Sequence, residues 1–216
     1  PIYGKTYLPR KFKIAVALPP RNDVDVFSNC LGYVGISENN KIVGYNVLVG
    51  GGLGMTHGKT TTFPRLADVI GFCTPEQAVQ VAEEVVKIQR DFGDRSDRRH
   101  ARLKYTIEDR GVEWFKEELN QRLGWDLEPA RDFLFESTTD RYGWNQDADG
   151  SLTYGLFFEG GRLRDKSKLA IREIASCIPC EFRLTANQNL VIARISNEDK
   201  GKIDEILAKQ DRKSVV

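Results

Sequence analysis

Residues 75–92 read as one fully punctuated helix, and that helix decides what the chain can fold into. Thr74 is a good N-cap, Pro75 suits the first helical position, and Thr74 with Gln77 makes a capping box. Val79, Ala82, Val86 and Ile88 supply an apolar face, Glu83 and Lys87 pair at i,i+4, and Gly93 stops it. The segment before it is β-rich. Phe12 to Leu18 reads as a strand ending at Pro19-Pro20, and Arg21 to Asn29 as a loop or short helix. Gly32 to Ser37 and Lys41 to Val49 read as a hairpin turning at Glu38-Asn39-Asn40. A second helix carries Val112, Phe115, Leu119 and Leu123, with Gly124 as its stop. Strands and helices in this mixture predict an α+β protein.

A polar stretch, Pro129 to Arg141, reads as a linker, so we expect two domains, 1–141 and 142–216. Beyond it lie a strand at 152–158, a helix at 168–175, strands at 181–185 and 190–195, and a last helix capped by Asn197. This β-α-β-β-α order predicts a small ferredoxin-like unit.

Positive charge is concentrated in two places. Thr6-Tyr7-Leu8-Pro9-Arg10-Lys11-Phe12-Lys13 holds three cations in four residues, just before an apolar strand. In an extended chain Lys11 and Lys13 share a face and repel, unless an anion lies between them. Taken alone, such a pair is most simply a solvated strand start. The run Gly93 to Tyr105 holds five cations and His100. If it is helical, Arg95, Arg98, Arg99 and Arg102 fall on one side; if its end is extended, Arg102 and Lys104 share a face. By itself this run reads as a solvated basic surface or a nucleic-acid patch. The formal net charge of only +1 argues against nucleic acid and against an anionic membrane, and leaves anion chemistry to local clusters.

The stretch from Val49 to Thr60 contains Gly50-Gly51-Gly52. A P-loop ending at Gly58-Lys59-Thr60 would need glycine where Leu53 stands, and a GxGxxG would need it where Met55 or His57 stands. What remains is a backbone that approaches something closely. The four cysteines are Cys30, Cys73, Cys177 and Cys180. Only Cys177-Ile-Pro-Cys180 has ligand-like spacing, and it lacks further ligands, so no metal site is assigned. This usage fits a reducing compartment, cytoplasmic or plastid-like. No signal peptide or membrane span is visible, and the start at Pro1 without Met suggests a processed protein or a fragment.

Four stretches in order carry a resemblance: Thr6 to Lys13, Val49-Gly50-Gly51-Gly52-Leu53, Asp97-Arg98-Arg99 to Lys104-Tyr105, and Arg183-Leu184-Thr185-Ala186-Asn187-Gln188-Asn189-Leu190. With them the chain resembles the sirohaem sulfite and nitrite reductases, in particular the assimilatory sulfite reductase hemoproteins. The resemblance covers almost the whole chain. It implies a sirohaem-binding α/β mixed-sheet domain followed by a ferredoxin-like half-domain, and reduction of sulfite to sulfide in sulfur assimilation. Sirohaem coupled to a 4Fe-4S cluster would be the cofactor, and a flavoprotein reductase subunit or ferredoxin the electron donor.

By the same resemblance, Lys11 and Lys13 match the substrate-anion lysines. Arg10 matches a cation near the sirohaem carboxylates, and Arg102 and Lys104 match further cations around the macrocycle. Gly50, Gly51 and Gly52 would run close to the porphyrinoid. Arg183, Asn187, Gln188 and Asn189 match a half-domain signature that faces the cofactor. The family's cluster ligands, in Cys-x5-Cys and Cys-x3-Cys pairs, do not occur in this sequence. The chain therefore reads as a middle piece, with N- and C-terminal parts of the same protein as its partners, and inactive alone. The competing readings are a sirohaem nitrite reductase on the same scaffold and, remotely, a nucleic-acid-binding module.

Overall fold

The computed structural model describes residues 2–209; the first residue and the end of the expected second domain lie outside the described residues. The chain divides into two compact units, Pro1–Thr138 and Thr139–Val216.

The first unit is built on a four-stranded mixed sheet in the order β1 (Ile14–Ala17), β2 (Leu31–Glu38), β3 (Lys41–Val49), β4 (Asp68–Cys73). β1 runs parallel to β2, and the other neighbours are antiparallel. The hairpin forms where the turn residues predict it. Glu38 pairs with Lys41, and Asn39 and Asn40 both take positive φ, 51° and 61°, as a two-residue turn of the twist-matching kind requires.

Both faces of this sheet are covered, which is why β2 is buried over Leu31 to Gly35 without alternation. On one face Tyr33, Val47 and Val49 pack with Val81, Val85 and Ile88 of helix α1 (Ala78–Phe92), Leu103 and Ile107 of α2 (Leu103–Arg110), and Phe115 and Leu119 of α3 (Val112–Leu123). On the other, Ala17, Val34 and Leu48 pack with Val26, Phe27, Phe133 and Phe135.

Several expectations are corrected by this arrangement. The first helix starts at Ala78, because Pro75 to Gln77 form a turn. Gln77 Oε1 accepts from the Thr74 N–H at 2.9 Å, one half of the expected box, while the Thr74 hydroxyl turns to Glu76. Its buried face is Val81, Val85, Val86 and Ile88; Val79 is 69% exposed. Strand β4 and helix α2 have no counterpart in the sequence reading. Residues 129–138 are no free linker. Phe133 and Phe135 sit in the second core, Arg131 lies 3.8 Å over Phe72, and the Asn22 N–H donates to the Ser137 carbonyl at 2.8 Å.

The second unit has an antiparallel sheet in the order β5 (Gly143–Gln146), β6 (Leu152–Leu156), β8 (Leu190–Ile195), β7 (Glu181–Leu184). Helices α4 (Asp165–Cys177) and α5 (Lys200–Lys209) cover one face through Ala170, Ile174, Ile203 and Ile206. β5 is an extra strand. Ser196 rather than Asn197 caps the approach to α5, its hydroxyl accepting from the Asp199 N–H at 3.1 Å. Among the described residues no helix is long and apolar enough to cross a membrane.

A candidate anion and cofactor site

In the first unit, a cavity of about 630 Å³ is lined by Arg10, Lys11, Arg98, Arg99 and Arg102, with one carboxylate, Asp97. Gly54, Met55, Thr56, Thr62 and Tyr105 complete its wall. Three separate stretches supply these cations: the segment before β1, the turn before α2, and the entry to α2 itself. The turn is tied by Asp94, whose carboxylate accepts from the Ser96 N–H and hydroxyl, both at 2.7 Å. It is tied again by Asp97, which accepts from the Arg99 N–H at 2.8 Å. His100 stacks on Tyr105 at 4.5 Å and lies 3.3 Å from Asp94.

Five cations around one cavity repel one another unless anions enter. Two of them also keep a nitrogen without a partner: Arg10 Nη1 and Arg102 Nε are buried and hydrogen-bonded to nothing among the described residues. A buried, unpaired guanidinium nitrogen is costly, and a carboxylate or oxyanion is its natural complement. The donor set therefore fits a polycarboxylate such as sirohaem together with a small oxyanion.

The sequence-predicted residues fall into different places. Arg10, Lys11 and Arg102 come together on the cavity. Lys13 is exposed, one residue before β1, and does not line it. Gly50, Gly51 and Gly52 are buried, and their Cβ sides face the protein's own groups. An added Cβ would meet Arg65 Nη1 and Ile107 at Gly50, the Phe27 and Asn29 carbonyls at Gly51, and the Arg102 guanidinium at Gly52. The close approach that these glycines permit is thus to Arg65 at Gly50, to the backbone of residues 27–29 at Gly51 and to Arg102 at Gly52.

Lys104 is 1% exposed, and its ammonium donates to the carbonyls of Gly52 (3.0 Å), Gly54 (2.8 Å) and Phe63. Burial, and then the neighbouring Arg102 charge, pull its pKa below the ordinary lysine value. The residues missed by sequence reasoning are Asp97, Gly54, Met55, Thr56, Thr62 and Arg65. Arg65 braces the glycines from behind, bonding Asp68 (2.7 Å), Glu108 (3.0 Å) and the Gly50 carbonyl (3.3 Å). Asp97, Arg98 and Arg99 stand in a stretch that carries the resemblance, which assigns them no role, and Gly54, Met55, Thr56, Thr62 and Arg65 belong to none of the four stretches.

In the second unit, Asn187 and Asn189 converge on Asp140, which is 5% exposed. Its carboxylate accepts from Thr185 Oγ1 (2.6 Å), Asn187 Nδ2 (3.0 Å) and Asn189 Nδ2 (2.8 Å). Gln188 takes a positive φ of 66° at the loop tip, and Arg183 is exposed and pairs with Glu181 at 2.7 Å.

The family model described as the nitrite and sulphite reductase 4Fe-4S domain matches residues 1–127, more than half of the chain. The chain belongs to the nitrite and sulfite reductase family. A second model, the nitrite/sulfite reductase ferredoxin-like half domain, matches residues 145–210. The chain is similar to proteins named sulfite reductase [NADPH] hemoprotein beta-component. Identity is 54% over 213 residues for that of Geobacillus kaustophilus and 56% over 211 for that of Anoxybacillus flavithermus; each match covers 97% or 96% of this chain and 37% of the relative. The Myxococcus xanthus relative is 56% identical over 211 residues, with 96% and 38% covered. The chain thus spans little more than a third of these curated relatives. The solved structure of the Mycobacterium tuberculosis NirA protein superposes with a TM-score of 0.82 at 24% identity, covering all of this chain and 40% of that one. This likeness shows the fold.

The segment matching the 4Fe-4S family model holds two cysteines, Cys30 and Cys73, both buried. Among the described residues no three His, Cys, Asp or Glu gather in a metal-binding group. The chain's own thiols do not fit a four-iron cluster.

Proposed function

We propose that this chain is the part of a sulfite reductase hemoprotein that binds the sirohaem carboxylates and the substrate anion. The observation that carries this reading is the cavity itself, with Arg10, Lys11, Arg98, Arg99 and Arg102 on its wall and buried, unpartnered nitrogens on Arg10 and Arg102. Sirohaem, when bound, supplies the redox chemistry of sulfite reduction. The chain's side chains position and neutralise. The arginines hold carboxylates through paired N–H donors, as guanidinium forks suit. Lys11, exposed at the cavity edge, meets the small substrate oxyanion and stabilises negative charge leaving with oxygen. Lys13 stands two residues on and draws the anion from solvent. Gly51 and Gly52 seat Arg102, and Gly50 seats Arg65 beside them, so that the Arg102 guanidinium would be held ready for a sirohaem carboxylate. Arg183 on β7 and Asn187, Gln188 and Asn189 on the β7–β8 loop are the half-domain's own contribution to cofactor binding, with Asp140 anchoring the loop.

The complete protein takes electrons from an NADPH-dependent flavoprotein or a ferredoxin and works in the cytoplasm. This chain by itself is inactive, because the cluster ligands are not among its residues.

The test uses the full-length polypeptide that carries this segment. Lys11→Met should raise the KM for sulfite about tenfold or more while leaving sirohaem content unchanged. Arg102→Met should lower sirohaem content itself. Unaltered sulfite kinetics in Lys11→Met, together with full sirohaem in Arg102→Met, would remove the reading.

A further inference from the structure

The loop from Leu53 to Thr62 forms one side of the cavity, contributing Gly54, Met55, Thr56 and Thr62. Little of it is packed. Residues 53–61 are exposed, and its two large apolar side chains, Leu53 and Met55, are 52% and 60% exposed. Inside the loop the Thr62 hydroxyl accepts from the Thr56 N–H at 2.8 Å and donates to the Lys59 carbonyl at 2.9 Å. At the neck, Gly52 and Arg65 exchange backbone hydrogen bonds of 2.8 and 3.0 Å.

Lys104 closes the remaining gap. An ammonium has three N–H donors and no acceptor. All three are directed at backbone carbonyls from the two stems of the loop, Gly52 and Gly54 on one and Phe63 on the other. No donor remains for a carboxylate or a sulfite oxygen. The side chain is also buried, with its ammonium 4.8 Å over the Tyr105 ring and 5.7 Å over Phe63. A buried cation with no carboxylate beside it is tolerated when oriented carbonyl dipoles and aromatic faces replace its water.

We propose that Lys104 is a positioning residue: it clasps both stems of loop 53–62 and so sets one wall of the anion cavity, without itself touching the anion. The inference rests on the reading of that cavity as an anion site. Arg102 and Lys104 thereby divide the work of one short segment. Arg102 turns to the cavity and Lys104 turns inward to the loop.

Limited trypsin digestion of the full-length polypeptide reads the clasp directly, because Lys59 is exposed within the loop. Lys104→Met keeps the apolar bulk and removes the donors. It should speed cleavage at Lys59 at least about tenfold, as expected for the loss of several charge-assisted hydrogen bonds, and should weaken sulfite binding. Lys11→Met should weaken sulfite binding with Lys59 cleavage unchanged. Cleavage at Lys87, within α1, reports global unfolding. If Lys104→Met is cut there as fast as at Lys59, Lys104→Gln, whose amide still serves part of the carbonyl set, is judged by the same two readouts. Unchanged Lys59 cleavage, or a freed loop with undiminished sulfite binding, overturns the proposal. A wild-type protein that binds no sulfite overturns the anion-site reading instead, and Lys59 cleavage then still decides whether the clasp exists.

Discussion

The Arg102 guanidinium stands where a Cβ on Gly52 would be, with Cζ and both terminal nitrogens 2.8–2.9 Å from that position. The glycine is required by a side chain that must pass it. At Gly51 the obstacle is different: the Phe27 carbonyl and, at 2.6 Å, the Asn29 carbonyl, which are backbone. A flexible side-chain end moves aside cheaply, and the hydrogen-bonded backbone of the turn at residues 26–29 does not. Gly52→Ala should therefore cost about 1 kcal/mol of stability and displace Arg102 from the cavity, whereas Gly51→Ala should cost about 3 kcal/mol. Urea unfolding of both variants ranks them, and equal losses would contradict the distinction.

Asp140 is the hub of the β7–β8 loop. Replacing it with alanine removes an acceptor shared by the Thr185, Asn187 and Asn189 donors, and Asn189, only 3% exposed, is left with the Tyr142 hydroxyl for its amide. The expected loss is about 3 kcal/mol, and Asn187→Ala should lose only about 1 kcal/mol. Denaturation followed at Trp144, whose indole lies in the second unit, measures both.

The turn that presents Arg98 and Arg99 depends on an ionised Asp94. Hydrogen bonds from the Ser96 hydroxyl and from the Ser96 and Asp97 amides hold its pKa down to about 2. A folded value below the unfolded one means that the stabilisation is in place above about 3.9, the unfolded aspartate value. It is lost as pH falls through about 2. Protection of the Ser96 and Asp97 amides, taken as the exchange rate relative to an unstructured chain at each pH, should therefore hold down to about pH 4 and fall only below it. A carboxyl titration at Asp94 centred near pH 4 would refute this.

The hairpin offers a local test. Asn40 sits at φ 61°, a region that costs an ordinary L-residue about 1–2 kcal/mol. Asn40→Ala should destabilise by about 1 kcal/mol and Asn40→Gly should be tolerated. Thermal unfolding of the two variants separates backbone strain from side-chain effects.

What was legible in the sequence was local. The β2–β3 turn and the α3 stripe with its Gly124 stop are each decided within a dozen residues, by backbone preference and by one buried face. β4 escaped notice because it is short, carries Gly71, and is buried on Ile70 to Cys73 without alternation. α2 escaped because Leu103 to Ile107 are all buried, so its apolar residues trace no single stripe that would mark a helix.

The residue types alone determined the family, the α+β class and the presence of concentrated cations beside a glycine run. They did not determine what each cation does. Arg10, Lys11 and Arg102 share a cavity, Lys13 lies off it, and Lys104, two residues from Arg102, gives all its donors to backbone carbonyls. Asn187 and Asn189 likewise spend amide donors on Asp140, a residue far away in sequence. Hydrogen bonds and charge pairing depend on distance and direction between groups that only the folded chain brings together, so the composition names the donors and the tertiary structure assigns their partners.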